Sequence, residues 1–317
     1  DVKNRLNMNV PDGFAITAAA HEMFMQADGL QREIDRLFQV AGSDEDRNLD
    51  LVSSQIRQLI MAAEVPEPIY LAVVDAYSAM KAATGDEDIR MAVRSSAFGE
   101  DSENTSFAGQ YRSELNVSFS QFFYYYKQVM ASKYSVQAIA YKINRGFRDE
   151  DIAMCVGCME MVDAVAGGVA YSRNPVDADD MSVYINAALG LPKSVVDGQD
   201  TCDLFVVSRD VDYQVVPGRL YDTDPLDFVM VTQSEPTLTI RSDVRDKRFQ
   251  VASLKTEGVH RKEVPEDLRH RPALSEEKIR ELFYLAVKIE NYYKCPQDIE
   301  WALDRDGRLY ILQCRPL

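Results

Sequence analysis

The sequence predicts an α+β protein of two lobes. Three observations predict it. Apolar residues recur every three or four positions from Ala15 to about Thr84, the period changes after Gly85 into alternating strand and helix stretches, and beyond Asp203 the texture shifts to short strands and charged turns. The boundary is expected at 202/203, with an N-terminal lobe over 1–202, helical at its start and then built on a mixed sheet, and a C-terminal lobe over 203–317. At 317 residues and 46% hydrophobic content the chain is long enough to bury a substantial core in each.

In order along the chain, QREIDRLFQV, LDLVSSQIRQLIMAAEV and IYLAVVDAYSAM carry helical spacing, with Pro66 and Pro68 separating the last two. IRMAVRSSA reads as a buried strand that delivers a polar cluster at its end, followed by the Gly- and Ser-containing loop FGEDSENTSFAGQ. QFFYYYKQVMASKY and VQAIAYKINRGF read as helices; IAMCVGCMEMV, GGVAYSRNP, SVYINAAL, LFVVSRD, YQVVPGRLYD and RFQVASLK read as strands. SEEKIRELFYLAVKIENYY is an amphipathic helix that starts at Ser275 and Glu277, just after Pro272.

Composition narrows the function. With 35 basic against 51 acidic residues the formal charge is −16, which repels a polyanion and argues against nucleic-acid binding, while a few converging Arg side chains and backbone amides still suit one nucleotide. No run approaches the roughly 20 apolar residues of a membrane span, and no signal segment opens the chain, so a cytoplasmic location without membrane contact is expected. The start at Asp1 and the end at Leu317, directly after a strand-like run, give the expectation of a fragment. Cys155 and Cys158 form a CxxC inside a strand, where positions three apart point to opposite faces, and so read as structural thiols; His21, His260 and His270 sit in no ligand-spaced motif.

The C-terminal stretch QDIEWALDRDGRLYILQCRPL reads as a β-hairpin, with Asp304, Asp306 and Gly307 supplying turn chemistry. If Asp304 pairs with Gly307, Glu300 faces Ile311, and strand parity puts Leu309, Gln313 and Arg315 on that face, with Ile299, Trp301, Leu303, Tyr310 and Leu312 in the core. A carboxylate, an amide and a guanidinium on one face suit a metal-phosphate group; an Arg–Glu structural pair on a solvated sheet is the alternative. A second element is VRSSAFGEDSENTSFAGQY, where Arg94 and Ser95 lead from a strand into a loop whose glycines, Gly99 and Gly109, let main-chain amides approach an anion. It is not a Walker A sequence, because no GK[ST] follows.

Six stretches in order, NVPDGFAITAAAHEMF, VRSSAFGEDSENTSFAGQY, GGVAYSRNPV, INAALGLPKSVVDG, VPEDLRHRPALSEEKI and CPQDIEWALDRDGRLYILQCRPL, resemble the nucleotide-binding domain of the phosphoenolpyruvate synthase and pyruvate phosphate dikinase family, whose fold is ATP-grasp. The resemblance covers nearly the whole chain. It implies ATP and Mg²⁺ in a cleft between two lobes, with Arg94 and Arg315 as the catalytic cations. Nucleotide contacts are implied for Arg94, Ser95, Ser106, Gly109, Glu300, Gln313 and Arg315, and metal contacts for Glu300 and Gln313. The segment from Ser102 to Gln110 would be a lid over the phosphates. In the family the β-phosphoryl group passes to a histidine on a separate domain and then, on a third domain, to pyruvate; both domains are absent from this chain, and its partners are therefore ATP and those two domains.

The sequence also departs from the family. Lys3 lies too close to the VPDGF stretch to stand for the family's ATP-contacting lysine, the GLGE motif appears as Gly190, Leu191, Pro192 and Lys193, and Met159 replaces a common glutamine. These changes keep open a degenerate nucleotide-binding or regulatory module. The ATP domain of a dikinase with another acceptor, a glucan or an antibiotic, is the other alternative.

Overall fold

The computed structural model describes residues 1–42, 49–97, 101–102, 105–106, 111–149, 152–177, 179–208 and 238–317. It is a mixed α+β structure whose chain packs into two compact units, one of residues 11–162 with 253–260 and one of residues 1–10, 163–252 and 261–317. Each unit has its own core.

The first unit opens with β1 (Gly13–Ile16), α1 (Ala18–Gln26), α2 (Leu30–Gly42), α3 (Leu49–Ala62) and α4 (Glu67–Thr84). Gly85 closes α4 in a left-handed conformation at φ 73°, its N–H returning to the Lys81 carbonyl. There follow β2 (Met91–Ala97), β3 (Asp101–Ser102), β4 (Thr105–Ser106), β5 (Ser113–Val117), α5 (Phe122–Ser132), α6 (Val136–Arg145) and β6 (Met154–Glu160). The strands form an antiparallel sheet in the order β1-β6-β2-β5, with β3 and β4 as a separate pair. Phe24, Ile34, Ile56, Val93, Phe122, Tyr126 and Val156 lie in one core cluster, which is where the helical periodicity of the first 84 residues is spent.

That core encloses charge. Asp149 accepts from Lys142 Nζ at 2.6 Å and Tyr134 Oη at 2.5 Å, and its main-chain carbonyl accepts from Lys133 Nζ at 2.9 Å. Burial pushes the Asp149 carboxyl up, but Lys133 and Lys142, with the hydrogen bonds, outweigh it and hold the group at about 2. Burial depresses Lys133 to about 8 and, with the Lys133 charge, His21 to about 4. His21 Nε2 is buried without a hydrogen-bond partner among the described residues.

The second unit comprises β7 (Ala164–Tyr171), β8 (Val183–Leu189), α7 (Lys193–Val196), β9 (Asp203–Ser208), β10 (Thr239–Asp243), β11 (Phe249–Ser253), β12 (Val259–Glu263), α8 (Glu266–Arg269), α9 (Glu276–Tyr293), β13 (Gln297–Asp304) and β14 (Leu309–Pro316), apart from the β11–β12 tip at 253–260, which groups with the first unit. Six strands form one antiparallel sheet in the order β10-β9-β8-β7-β13-β14. Ser275 caps α9, accepting from the Lys278 N–H. Ile279, Leu282, Phe283, Ala286 and Ile289 of this helix are buried with Ile185, Phe205, Ile299 and Trp301 of the sheet. The expected strand YQVVPGRLYD lies outside the described residues.

Candidate functional site

Alternation along the six-stranded sheet gives it two unlike faces. Ile299, Ala170, Ile185 and Phe205 are successive cross-strand neighbours on the face that α9 covers, and all are buried. On the other face Arg315, Asp298, Tyr171 and Tyr184 form one cross-strand row, and Gln313, Glu300, Val169 and Asn186 form the next. The sheet therefore segregates its polar groups on the side away from α9.

The β13–β14 hairpin is what brings the polar groups together. Glu300 pairs with Gln313 and Asp298 with Arg315, whereas Trp301 pairs with Ile311 and Leu303 with Leu309. The register shifts between Glu300 and Trp301, so Leu312 is an extra residue, a β-bulge. This corrects the register read from the turn. Arg305, Asp306 and Gly307 form a three-residue loop, closed by the Asp304 N–H on the Arg308 carbonyl at 3.0 Å and with Gly307 at φ 78°. Glu300 consequently faces Gln313 and not Ile311; Leu309 and Ile311 are buried in place of Tyr310 and Leu312, because the bulge inverts the parity of β14 partway along its length. Gln313 and Arg315 fall on the Glu300 face on the far side of the bulge.

Arg315 is anchored on that face. Its Nε and Nη2 donate at 2.9 and 2.8 Å to the same oxygen, Oδ2 of Asp298. Sequence reasoning left Asp298 unassigned, although its position two residues before Glu300 in a strand is enough to place it on the same face.

The stretch GLPK sits over this face. A Cβ added to Gly167 of β7 would lie 2.7 Å from Cδ of Pro192, so α7 packs directly on the strand where no side chain intervenes. Gly167 is the cross-strand neighbour of Ala302, which alternation puts on the Glu300 side of β13. Gly190 adopts φ 79° and lies against the Val251 carbonyl, a place only glycine fills without strain. Lys193 Nζ is 2.9 Å from Oδ2 of Asp197, one turn along α7.

Arg94 and Ser95 belong to the first unit. They lie in the middle of β2, Arg94 opposite Ser113 and Gly157, Ser95 opposite Val156, and both are half-buried. Because β2 continues to Ala97, alternation sends the two side chains to opposite faces, Ser95 with Val93 and Arg94 with Ser96. Among the described residues, a Cβ added to Gly157 would meet the Arg94 carbonyl at 3.9 Å, an ordinary contact. Ser106 lies in β4, paired as Asp101 with Ser106 and Ser102 with Thr105, while Gly109 and much of the expected lid lie outside the described residues. The structure thus gathers Glu300, Gln313 and Arg315 on one face, and places Arg94, Ser95 and Ser106 on elements of the other unit.

Among the described residues, one cavity of about 420 Å³ lies beside Asp200, Asp246, Arg248 and Arg261 and another of about 540 Å³ beside Asp28, Glu64, Glu67 and Tyr70, each within a single unit; neither is lined by the residues above. No helix among the described residues is long and apolar enough to cross a membrane.

Comparison with known proteins shows the family. Residues 1–317 match the family described as pyruvate phosphate dikinase, AMP/ATP-binding domain. The chain is 33% identical over 313 residues to the phosphoenolpyruvate synthase of Neisseria meningitidis serogroup B, covering 98% of this chain and 37% of that protein. It is 31% identical over 319 residues to the phosphoenolpyruvate synthase of Escherichia coli K12, covering 98% and 38%. It is 32% identical over 309 residues to a probable phosphoenolpyruvate synthase of Methanothermobacter thermautotrophicus, covering 97% and 41%. The chain spans about two fifths of the length of these three relatives. With its whole length matched and the polar face in the stretch that carries the resemblance, the chain belongs to the pyruvate phosphate dikinase AMP/ATP-binding domain family.

Proposed function

We propose that this domain binds ATP with Mg²⁺ in an ATP-grasp cleft between two lobes and delivers the β-phosphoryl group to a histidine on a separate domain of a phosphoenolpyruvate synthase-like phosphotransferase. The observation that carries the reading is the pairing of Glu300 with Gln313 beside Arg315 on one sheet face. One carboxylate and one amide oxygen are hard donors, a set that fits Mg²⁺ completed by phosphate oxygens and water. The ion would neutralise charge on the phosphates.

In this reading Arg315 and Arg94 hold the phosphate oxygens, and amides around Ser95, Ser106 and Gly109 cradle them. The side chains bind, orient and offset charge, and none acts as a nucleophile. The phosphohistidine and pyruvate domains would be supplied by a longer polypeptide, in keeping with the share of the relatives that this chain spans. A cytoplasmic setting accords with that role.

One observation favours the second reading, a degenerate nucleotide or regulatory module: Lys193, at the acidic position of GLGE, is a cation engaged with Asp197. Isothermal titration calorimetry of this chain with ATP, with and without Mg²⁺ and with GTP as a control, decides between them. Metal-dependent, ATP-selective heat is expected; absence of binding would hand precedence to the regulatory reading.

A further inference from the structure

We infer that the cavity beside Asp200 is a binding site for a small zwitterion of the amino-acid class, whose ammonium end meets Asp200 and Asp246 and whose carboxylate end meets Arg248 and Arg261. Its residues all belong to the second unit, and none of them takes part in the proposed nucleotide site, so it holds whether or not the chain binds ATP.

Two buried carboxylate oxygens without partners point to a ligand. The cavity measures about 420 Å³, room enough for a molecule of this size, and Asp200, Asp246, Arg248, Phe249 and Arg261 line it. Asp200 follows α7, and its side chain is only 3% exposed. Its Oδ1 accepts from Nε and Nη2 of Arg261 at 2.8 and 2.6 Å, while its Oδ2 is buried with no hydrogen-bond partner among the described residues. Asp246 repeats the arrangement. Its Oδ2 accepts from Arg248 Nε at 2.7 Å, and its Oδ1 is buried without a partner, His270 Nε2 standing 3.9 Å off, beyond hydrogen-bond reach. A buried carboxylate oxygen left unpaired is unfavourable, and here two belong to carboxylates that line one cavity.

The set of groups selects the ligand. Two free oxygens are too few for Mg²⁺ or Ca²⁺, and no group of three or more His, Cys, Asp or Glu among the described residues could hold a metal ion. Arg248 and Arg261 also repel a bare cation. An ammonium brings three donors of its own, enough for both oxygens. The arginines serve the opposite end: Nη1 of Arg261 and both Nη atoms of Arg248 bond to no described residue. Phe249 holds Arg261 in place, with the guanidinium carbon 3.5 Å from the centre of its ring. Two carboxylates and two guanidiniums leave the lining neutral by formal charge, which suits a ligand that is neutral as a whole and charged at each end. The buried oxygens are reached by rotamer changes of Arg248 and Arg261, whose side chains are 70% and 49% exposed, and such changes take nanoseconds or less.

The test is calorimetric titration of this chain with single L-amino acids, with butylamine, with butyrate, and with Mg²⁺ or Ca²⁺ alone. At least one amino acid should bind with a Kd of about a millimolar or tighter. Butylamine and butyrate carry one charge each and should bind at least about tenfold more weakly. Asp200→Asn keeps the shape and an acceptor for Arg261 but removes the free carboxylate oxygen, and should weaken the amino acid about tenfold or more with little change in the thermal melt. Arg248→Met, at an exposed position, should also lose about tenfold and covers the case in which Asp200→Asn fails to fold. No heat from any amino acid at about 10 mM overturns the site, a concentration well above the expected Kd. Binding that either folded variant retains in full places the ligand elsewhere and overturns it too. Butylamine binding as tightly as the amino acid, or a metal ion whose binding Asp200→Asn abolishes, overturns the zwitterion.

Discussion

Asp203 and Lys247 form an ion pair with Nζ 2.7 Å from Oδ1 and both side chains fully buried. The same carboxylate accepts from the Arg245 N–H at 2.9 Å and the Ala273 N–H at 2.8 Å, and the ammonium also donates to the Arg245 carbonyl at 3.1 Å. It therefore ties the start of β9 to the segment before β11 and to the approach of α9. Removing one partner of such a pair strands the other in the core, at a cost of about 3–5 kcal/mol. Asp203→Ala should lower the urea midpoint accordingly, and Asp203→Leu/Lys247→Met should lose less; equal losses would mean that charge pairing is not what the site depends on.

His21 sets a pH window. Its pKa is about 4 in the folded chain against the ordinary 6.5, because burial and the Lys133 charge disfavour the cation and outweigh Asp149. Between those values the unfolded chain binds the proton and the folded chain does not, so stability falls as pH falls from 6.5 to about 4 and this contribution levels off below. The full loss is about 3 kcal/mol. His21→Leu should remove that slope from a series of denaturant melts across the window. A slope that survives the substitution would assign it to other groups.

Glu300→Ala should weaken ATP binding about tenfold or more in Mg²⁺ and far less in its absence, since the carboxylate serves the metal in the proposed site. The side chain is half-buried on the sheet face away from α9, so the melting temperature should hardly move. Equal losses with and without metal, read by calorimetry, would remove Glu300 from the metal.

Lys193→Glu tests the unusual GLPK stretch. The new carboxylate would face Asp197 one turn away, which costs helix α7 its ion pair and adds a like-charge contact of about 0.5 kcal/mol. If position 193 serves the metal, Mg²⁺-ATP binding nevertheless tightens. An affinity that stays put in calorimetry would show that the position never reaches the ion.

Much of the fold was legible because amphipathic spacing is a strong signal. The first helices, α5, α6, α9 and the strands β2, β6, β7 and β8 all coincide with periodic runs in the sequence. The strands β10 and β12 were not, and their residues are mostly exposed, so no apolar alternation marks them. Charge also hid part of the core: lysines such as Lys133 and Lys247 usually lie at the surface, and here Asp149 and Asp203 arrive from elsewhere in the chain to meet them inside. At the candidate site, the grouping of Glu300, Gln313 and Arg315 was readable from the hairpin, while the partner each faces across it was not. Leu312 sits in an apolar run without a glycine or proline to announce a bulge, and a one-residue offset is enough to exchange core and surface.

That offset makes β14 a strand with two reading frames. Residues before Leu312 follow the phase that fills the core, and residues after it follow the phase that faces away from α9, so the chemistry of Gln313 and Arg315 depends on the count of residues separating them from the turn as much as on their identity. Were Leu312 itself to pair with Glu300, without the bulge, the strand would run in a single phase and turn the amide and the guanidinium inward, a frameshift in three dimensions with every functional residue still present.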